Sequence, residues 1–326
     1  MLRKVFILFF VLCVTRNVVS QQLPQYSQYM LNGFMFNSAM AGYDGFTTFD
    51  FTTRQQWLGI TDAPRTISIS LQTRILKRSY IIKHQPLKQK NTLVPARTGR
   101  VGLGINLYSD RNGAFSNTGI TMSYAYHIPF PNSQLSFGIS GSISQLKIDI
   151  NASDFRNPIN ENTIDFNKVP NYVPDANIGI FYNNRQLYAG FSVAELIQSS
   201  LKFGSNIISN YQLKRHYYLL AGYRLNSQLN VTYEPTILIK TTEQFLPQVD
   251  FSIKAYIYEN YWMGVSYRTT NTAIFFLGVR KNRLYASYAF DYSFNALQNF
   301  TFGTHELNLA LKFGDSAKRY RWINRY

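Results

Sequence analysis

Histidines, carboxylates, thiols and clustered cations are the residues of this 326-residue chain that could do chemistry. The four histidines, His84, His127, His216 and His305, fall in no metal-ligand spacing such as H-x-x-x-H. Ser123 and His127 share one face of an alternating segment, but four residues is too far for the direct bond of a nucleophile–base pair. The 17 acids are scattered and define no carboxylate pair for glycoside chemistry. Gly99-Arg100-Val101-Gly102-Leu103-Gly104 misses the dinucleotide fingerprint and opens no helix, so its glycines read as small residues in a curved strand. Cys13 is the single cysteine and lies inside an export leader. The mature chain therefore has no thiol nucleophile, disulfide or Cys-ligated metal. The sequence predicts no enzyme, no cofactor and no metal.

What remains is chemistry of association. Residues 76–98 (LKRSYIIKHQPLKQKNTLVPART) gather Lys77, Arg78, Lys83, His84, Lys88, Lys90 and Arg97. This is either a solvated loop or a docking surface for an acidic periplasmic partner or lipid phosphate. The C-terminal Lys318, Arg319, Arg321, Trp322 and Arg325 admit the same two readings. Arg54, Gln56 and Trp57 occupy the first outward turn, where Trp57 is a girdle aromatic or an exposed partner contact.

These candidates must be carried by exported β structure. Met1–Ser20 has a basic start at Arg3 and Lys4, then an apolar run from Val5 to Val14, and reads as a signal peptide. Its removal takes the formal charge from +16 to +13, three cations fewer with Arg16 included. An exported basic chain with no reader motif is not a nucleic-acid binder. No later run reaches the ~20 apolar residues of a membrane helix. Val193–Ile197 is the one stretch suited to a short helical turn.

Alternation dominates instead. Phe49, Phe51 and Thr53 oppose Asp50, Thr52 and Arg54, and Leu307, Leu309, Leu311 and Phe313 oppose Glu306, Asn308, Ala310 and Lys312. Fourteen such segments are predicted, near 46–55, 64–75, 99–108, 114–128, 133–147, 173–183, 185–193, 213–226, 228–240, 247–258, 260–269, 271–280, 283–293 and 304–313. The second faces are small and hydrophilic, which suits a wet lumen, and the 24 Tyr and 25 Phe supply rim girdles. Even-to-odd connections read as short periplasmic turns, odd-to-even ones as longer; 76–98 breaks the rule and is taken as a periplasmic excursion. The expectation is an all-β transmembrane antiparallel barrel of outer-membrane type over 46–313. A periplasmic or plug-like segment, 21–45, precedes it and a basic aromatic tail, 314–326, follows.

Gln25-Tyr26-Ser27-Gln28-Tyr29, Asn37–Gly42, Arg54–Trp57 and Pro64-Arg65-Thr66 together resemble the N-terminal signature of the PorP/SprF family, with Ser38 where that family usually has proline. Thr304-His305-Glu306 is similar to its final strand. The resemblance implies an outer-membrane barrel of the Bacteroidota type IX secretion system. It implies as partners membrane lipid, periplasmic ring or motor components, and secreted adhesins with a type B C-terminal domain, some serving gliding motility. A non-enzymatic barrel that receives or anchors such a substrate is the leading expectation, and a diffusion pore or small-solute transporter the alternative.

Overall fold

The computed structural model describes residues 25–75, 100–148, 171–198, 200–203, 208–226, 231–243, 247–258 and 260–313. The expected leader, the basic loop 76–98 and the C-terminal tail lie outside them. The period of two folds as read. The strands are β1 (Thr47–Gln55), β2 (Arg65–Ile75), β3 (Val101–Asn112), β4 (Phe115–Pro129), β5 (Ser133–Ile148), β6 (Asn171–Asn184) and β7 (Leu187–Ala194). After β8 (Ser200–Phe203) and β9 (Ile208–Gln212) come β10 (His216–Tyr223), β11 (Leu225–Asn226), β12 (Val231–Thr242) and β13 (Gln248–Ile257). The last four are β14 (Tyr261–Arg268), β15 (Thr272–Lys281), β16 (Leu284–Ser293) and β17 (Thr304–Phe313).

Neighbouring barrel strands pair antiparallel, and β1 pairs with β17 from Thr47↔Phe313 to Gln55↔His305, which closes the sheet. β10 bridges β7 and β12, and β11 prolongs its line against β12. The result is a closed barrel of fourteen strands, with β8–β9 a separate hairpin. Closure leaves no unpaired edge, the condition for a sheet in a bilayer. Apolar side chains such as Ile69, Leu107, Phe251 and Leu277 cover the outside, where lipid replaces water.

Four readings are corrected. Val193–Ile197 forms no helical turn: Val193 and Ala194 finish β7, and Glu195 and Gln198 take left-handed φ of 57° and 54°. The 194–212 connection is not wholly loop, since it holds the β8–β9 hairpin. β3 runs on to Asn112, paired with Phe115, so the β3–β4 connection is only residues 113–114, although it lies at the end expected to carry long loops. The lumen is not a wet channel: most inward side chains, among them Asp50, Thr52, Ser68, Asp250 and Lys254, are buried.

They are buried by the chain's own N-terminal part. Residues 25–46 lie inside the barrel, with 3-10 turns at Gly33–Met35 and Ser38–Met40. Asn37 caps the second turn, its side-chain oxygen accepting from the Ala39 amide at 2.9 Å. Tyr29, Phe34, Met40 and Ala41 form the core with Phe181, Tyr188, Tyr218 and Leu238 of the wall.

Candidate functional site

The inward faces of the strands and the enclosed segment form one continuous contact. Its lower end lies near the start of β1, where Lys312 holds Asp44 at 3.0 Å and Gln72 accepts from the Gly42 amide. At mid-height the Tyr29 hydroxyl meets Ser252 at 2.8 Å, and the Asn32 amide donates to Ser70. The side-chain amide of Asn37 donates to the backbone carbonyls of Ile180 and Phe191, at 3.0 and 3.3 Å. The wall is notched to let the backbone in. A Cβ on Gly102 would collide with the Ala41 carbonyl, and one on Gly138 with the backbone of Ser38 and Ala39. Gly102 of the G-x-x-G-x-G run therefore makes room for chain, and Gly104 makes room for the Phe34 ring.

At the other end of the barrel, where β1 and β16 finish and β17 begins, charged side chains from five strands form an arc. Arg54 (β1) bonds Asp291 (β16) at 2.8 Å and Glu306 (β17) at 3.1 Å. Arg268 (β14) bonds Asp250 (β13) at 3.0 Å and approaches Asp291 at 3.7 Å. Ser27 and Gln28 of the enclosed segment donate their amides to Glu306 at 2.7 and 2.9 Å, and the Ser27 hydroxyl donates to Asp291 at 2.7 Å. A second cluster joins Glu234 to Arg224 at 2.6 Å and Lys254 at 3.4 Å. Charges in so dry a place persist only when paired, which accounts for their alternation around the wall.

His127 belongs to this contact. It is fully buried, with Nδ1 2.8 Å from the Ser136 hydroxyl and Nε2 3.0 Å from the Ala41 carbonyl. Both ring nitrogens are engaged, and the side chain faces the lumen rather than lipid headgroups. Among the described residues no cluster of His, Cys, Asp or Glu is placed to hold a metal ion.

The sequence-selected partner residues are only partly brought together. Arg54 does not stand on the outer turn: its inward parity buries it, 2 % exposed, in the ion-pair arc, so it is a contact within this chain. Gln56 and Trp57 do occupy the β1–β2 turn, half-buried. The Gln56 amide donates to the Pro64 carbonyl at 2.8 Å, and the Trp57 amide to the Thr304 hydroxyl at 3.2 Å. Lys83, Lys88, Lys90, Arg97, Arg319, Arg321 and Trp322 lie outside the described residues. Sequence reasoning passed over Ser27, Asp291 and Arg268. Their signal was available in part, because a charged residue on the inward parity of a strand needs a buried partner.

Residues 18–311 match the family described as "Type IX secretion system membrane protein PorP/SprF". The chain belongs to that family. The barrel is thus an outer-membrane component of type IX secretion, in a family of secretion proteins rather than of enzymes. No curated protein matches this PorP/SprF-family chain in sequence. Among solved structures it is similar to Omp33 of Acinetobacter baumannii, at 7% identity and TM-score 0.44, covering 83% of this chain and 99% of that one. It is similar to the toluene transporter TbuX of Ralstonia pickettii, at 10% identity and TM-score 0.44, covering 86% and 92%. It is also similar to BamA of Haemophilus ducreyi lacking POTRA domains 1–3, at 10% identity and TM-score 0.40, covering 82% and 70%.

Proposed function

We propose that this barrel is a non-enzymatic receiver of a secreted polypeptide at its outer face. It helps export, or anchors at the cell surface, a type IX substrate with a type B C-terminal domain, such as a large adhesin of the kind used in gliding. Export by the Met1–Ser20 leader belongs to the same reading, with β1 running outward.

The observation that carries it is the pairing of a filled lumen with an apolar outer rim. Residues 25–46 occupy the space a solute would need, which weighs against a diffusion pore. At the rim, the Leu58 amide donates to the Gly303 carbonyl and the Phe302 amide to the Leu58 carbonyl, both at 2.8 Å, so the β1–β17 ladder continues past the strands. Phe300 and Phe302 stand 76% and 75% exposed there, beside Leu58 and the turn that carries Gln56 and Trp57. Phenyl rings lack the polar end that suits Tyr and Trp to a wet interface, and such a patch fits an apolar face of another polypeptide. The basic residues Lys83, Lys88, Lys90 and Arg97, with Arg319, Arg321 and Trp322, are proposed to dock an acidic ring or motor component in the periplasm.

Affinity purification of the tagged protein from native outer membranes tests this. Recovery of one large secreted protein, lost on Phe300→Ser and Phe302→Ser together, is the expected result. An unpartnered barrel that conducts ions steadily in planar bilayers would replace the receiver with a pore.

A further inference from the structure

The enclosed segment runs from the outer end of the barrel to the periplasmic end, antiparallel to β1. Ser27 meets residues at the outward ends of β1, β16 and β17, whereas Asp44 meets Lys312 at the periplasmic end of β17. Its outer end bonds to charged side chains of the wall. From Tyr29 to Tyr43 the segment packs into a glycine-notched wall, where separation exposes apolar surface, and it also bonds the wall through Tyr29, Asn32, Asn37, Ala41 and Gly42. Residues 25–28 are held by the carboxylates of Glu306 and Asp291 and the guanidinium of Arg54, and by the buried Tyr26 ring, which meets Phe36 edge-on at 6.0 Å. Each such bond to a charged group contributes more than one between neutral groups, and a competing backbone that makes the same bonds replaces them without that loss.

The outer contact is also specific in form. Both oxygens of Glu306 are taken by consecutive backbone amides, those of Ser27 and Gln28. The Ser27 hydroxyl donates to Asp291 and accepts from Arg54. This is recognition of a bent backbone, whose two successive amides converge on one carboxylate, together with one hydroxyl side chain. Nε of Arg54 and Oδ1 of Asp291 are buried without a hydrogen-bond partner, although each residue is almost wholly enclosed. Water entering the mouth would satisfy both, which lowers the cost of opening it.

We propose that the outer mouth is a polypeptide clamp built from Glu306, Asp291 and Arg54, closed in cis by residues 25–28 as a strap that peels back. Its ligand is a polypeptide segment whose backbone bends to offer two successive amide N–H groups to one carboxylate, with a serine or threonine hydroxyl beside them. The proposal rests on the reading that the outer face receives a secreted polypeptide, and it gives that polypeptide a place to bind.

The test is thiol labelling of the full-length chain, purified and folded, with Cys13→Ala as background so that one introduced cysteine is the sole thiol. Gln28→Cys keeps the backbone amides and Ser27, and it reacts slowly with a bulky maleimide. Adding Glu306→Gln, which sets an amide donor against the strap's own donors, raises the rate about tenfold or more. The peptide QYSQYML, the sequence of residues 25–31, raises it saturably on the unmodified clamp, and QYAQYML does not. Ser38→Cys, in the notched section, stays slow throughout. Should Glu306→Gln fail to fold, Ser27→Ala replaces it, with an increase of several-fold expected. Unchanged labelling with both the variant and the peptide overturns the clamp. Equal acceleration at Ser38→Cys overturns the strap, because the whole segment would then be leaving. The readout needs only this chain and its own peptide, so failure to recover a secreted partner leaves it untouched.

Discussion

Arg54 and Glu306 face each other directly across the β1–β17 seam, and the same two side chains form an ion pair at 3.1 Å inside the barrel. The bond that helps close the sheet is also one that receives the enclosed segment, since Glu306 takes the amides of Ser27 and Gln28. Wall and filling are therefore one structure at this point.

Removing Arg54 leaves Glu306 and Asp291 buried with most of their compensation gone. Arg54→Ala is expected to destabilise the barrel by about 3–5 kcal/mol, the usual cost of breaking a buried pair by deleting one partner. The loss reads as a lower urea midpoint for the folded, heat-modifiable species on gels. A variant as stable as the parent that had lost its secreted partner would return Arg54 to the role of surface contact.

Ion pairs elsewhere grade with burial. Asp44–Lys312 is partly exposed, at 12% and 24%, and Arg111–Asp62 is open to water, at 63% and 60% for Asp62 and Arg111. Asp44→Asn is expected to cost about 1 kcal/mol and to lose part of that in high salt, whereas Asp62→Asn falls within about 0.5 kcal/mol of the parent. Equal effects at the two sites would show that burial is not what ranks them.

How far the sequence carried the fold can be judged at particular residues. Every barrel strand was visible because alternation is imposed by two solvents, and Phe49 or Leu309 must face lipid wherever the lumen leads. Asp50, Lys254 and Glu306 were correctly put on the inner parity, but parity does not say whether that side is water or protein. The filling could not be read from pattern, because Ser27, Asn37 and Asp44 make contacts 143 to 279 residues away in sequence. Gly102 looked like strand curvature for the same reason, its purpose being to clear a backbone supplied from elsewhere. Arg54 was misplaced because a short motif, R-x-Q-W, was read as one surface when alternation turns its first residue inward.

His127 offers a check on enzymatic chemistry. His127→Ala removes the acceptor or donor that serves Ala41 and Ser136, and is expected to cost about 1–3 kcal/mol through the buried groups left unpaired. Lipid hydrolysis by the purified barrel should be at background with or without the substitution. Hydrolysis that survives purification and disappears in the variant would make this residue a catalytic base instead of a structural one.

Glycine substitutions separate a notched wall from one that merely curves. Gly138→Ala puts a methyl group into the backbone of Ser38 and Ala39, while at Gly141, three residues on in β5, a Cβ would meet nothing within 4 Å. Backbone cannot give way as a flexible side chain can, so Gly138→Ala is expected to cost about 1–3 kcal/mol, the range for overpacking. It should also loosen the Ser38–Met40 turn enough for protease to cut the enclosed segment in the folded barrel. Gly141→Ala should leave stability and protection as in the parent. If both variants are equally stable and equally protected, the segment does not press against β5 and the lumen is filled less tightly than Gly138 requires.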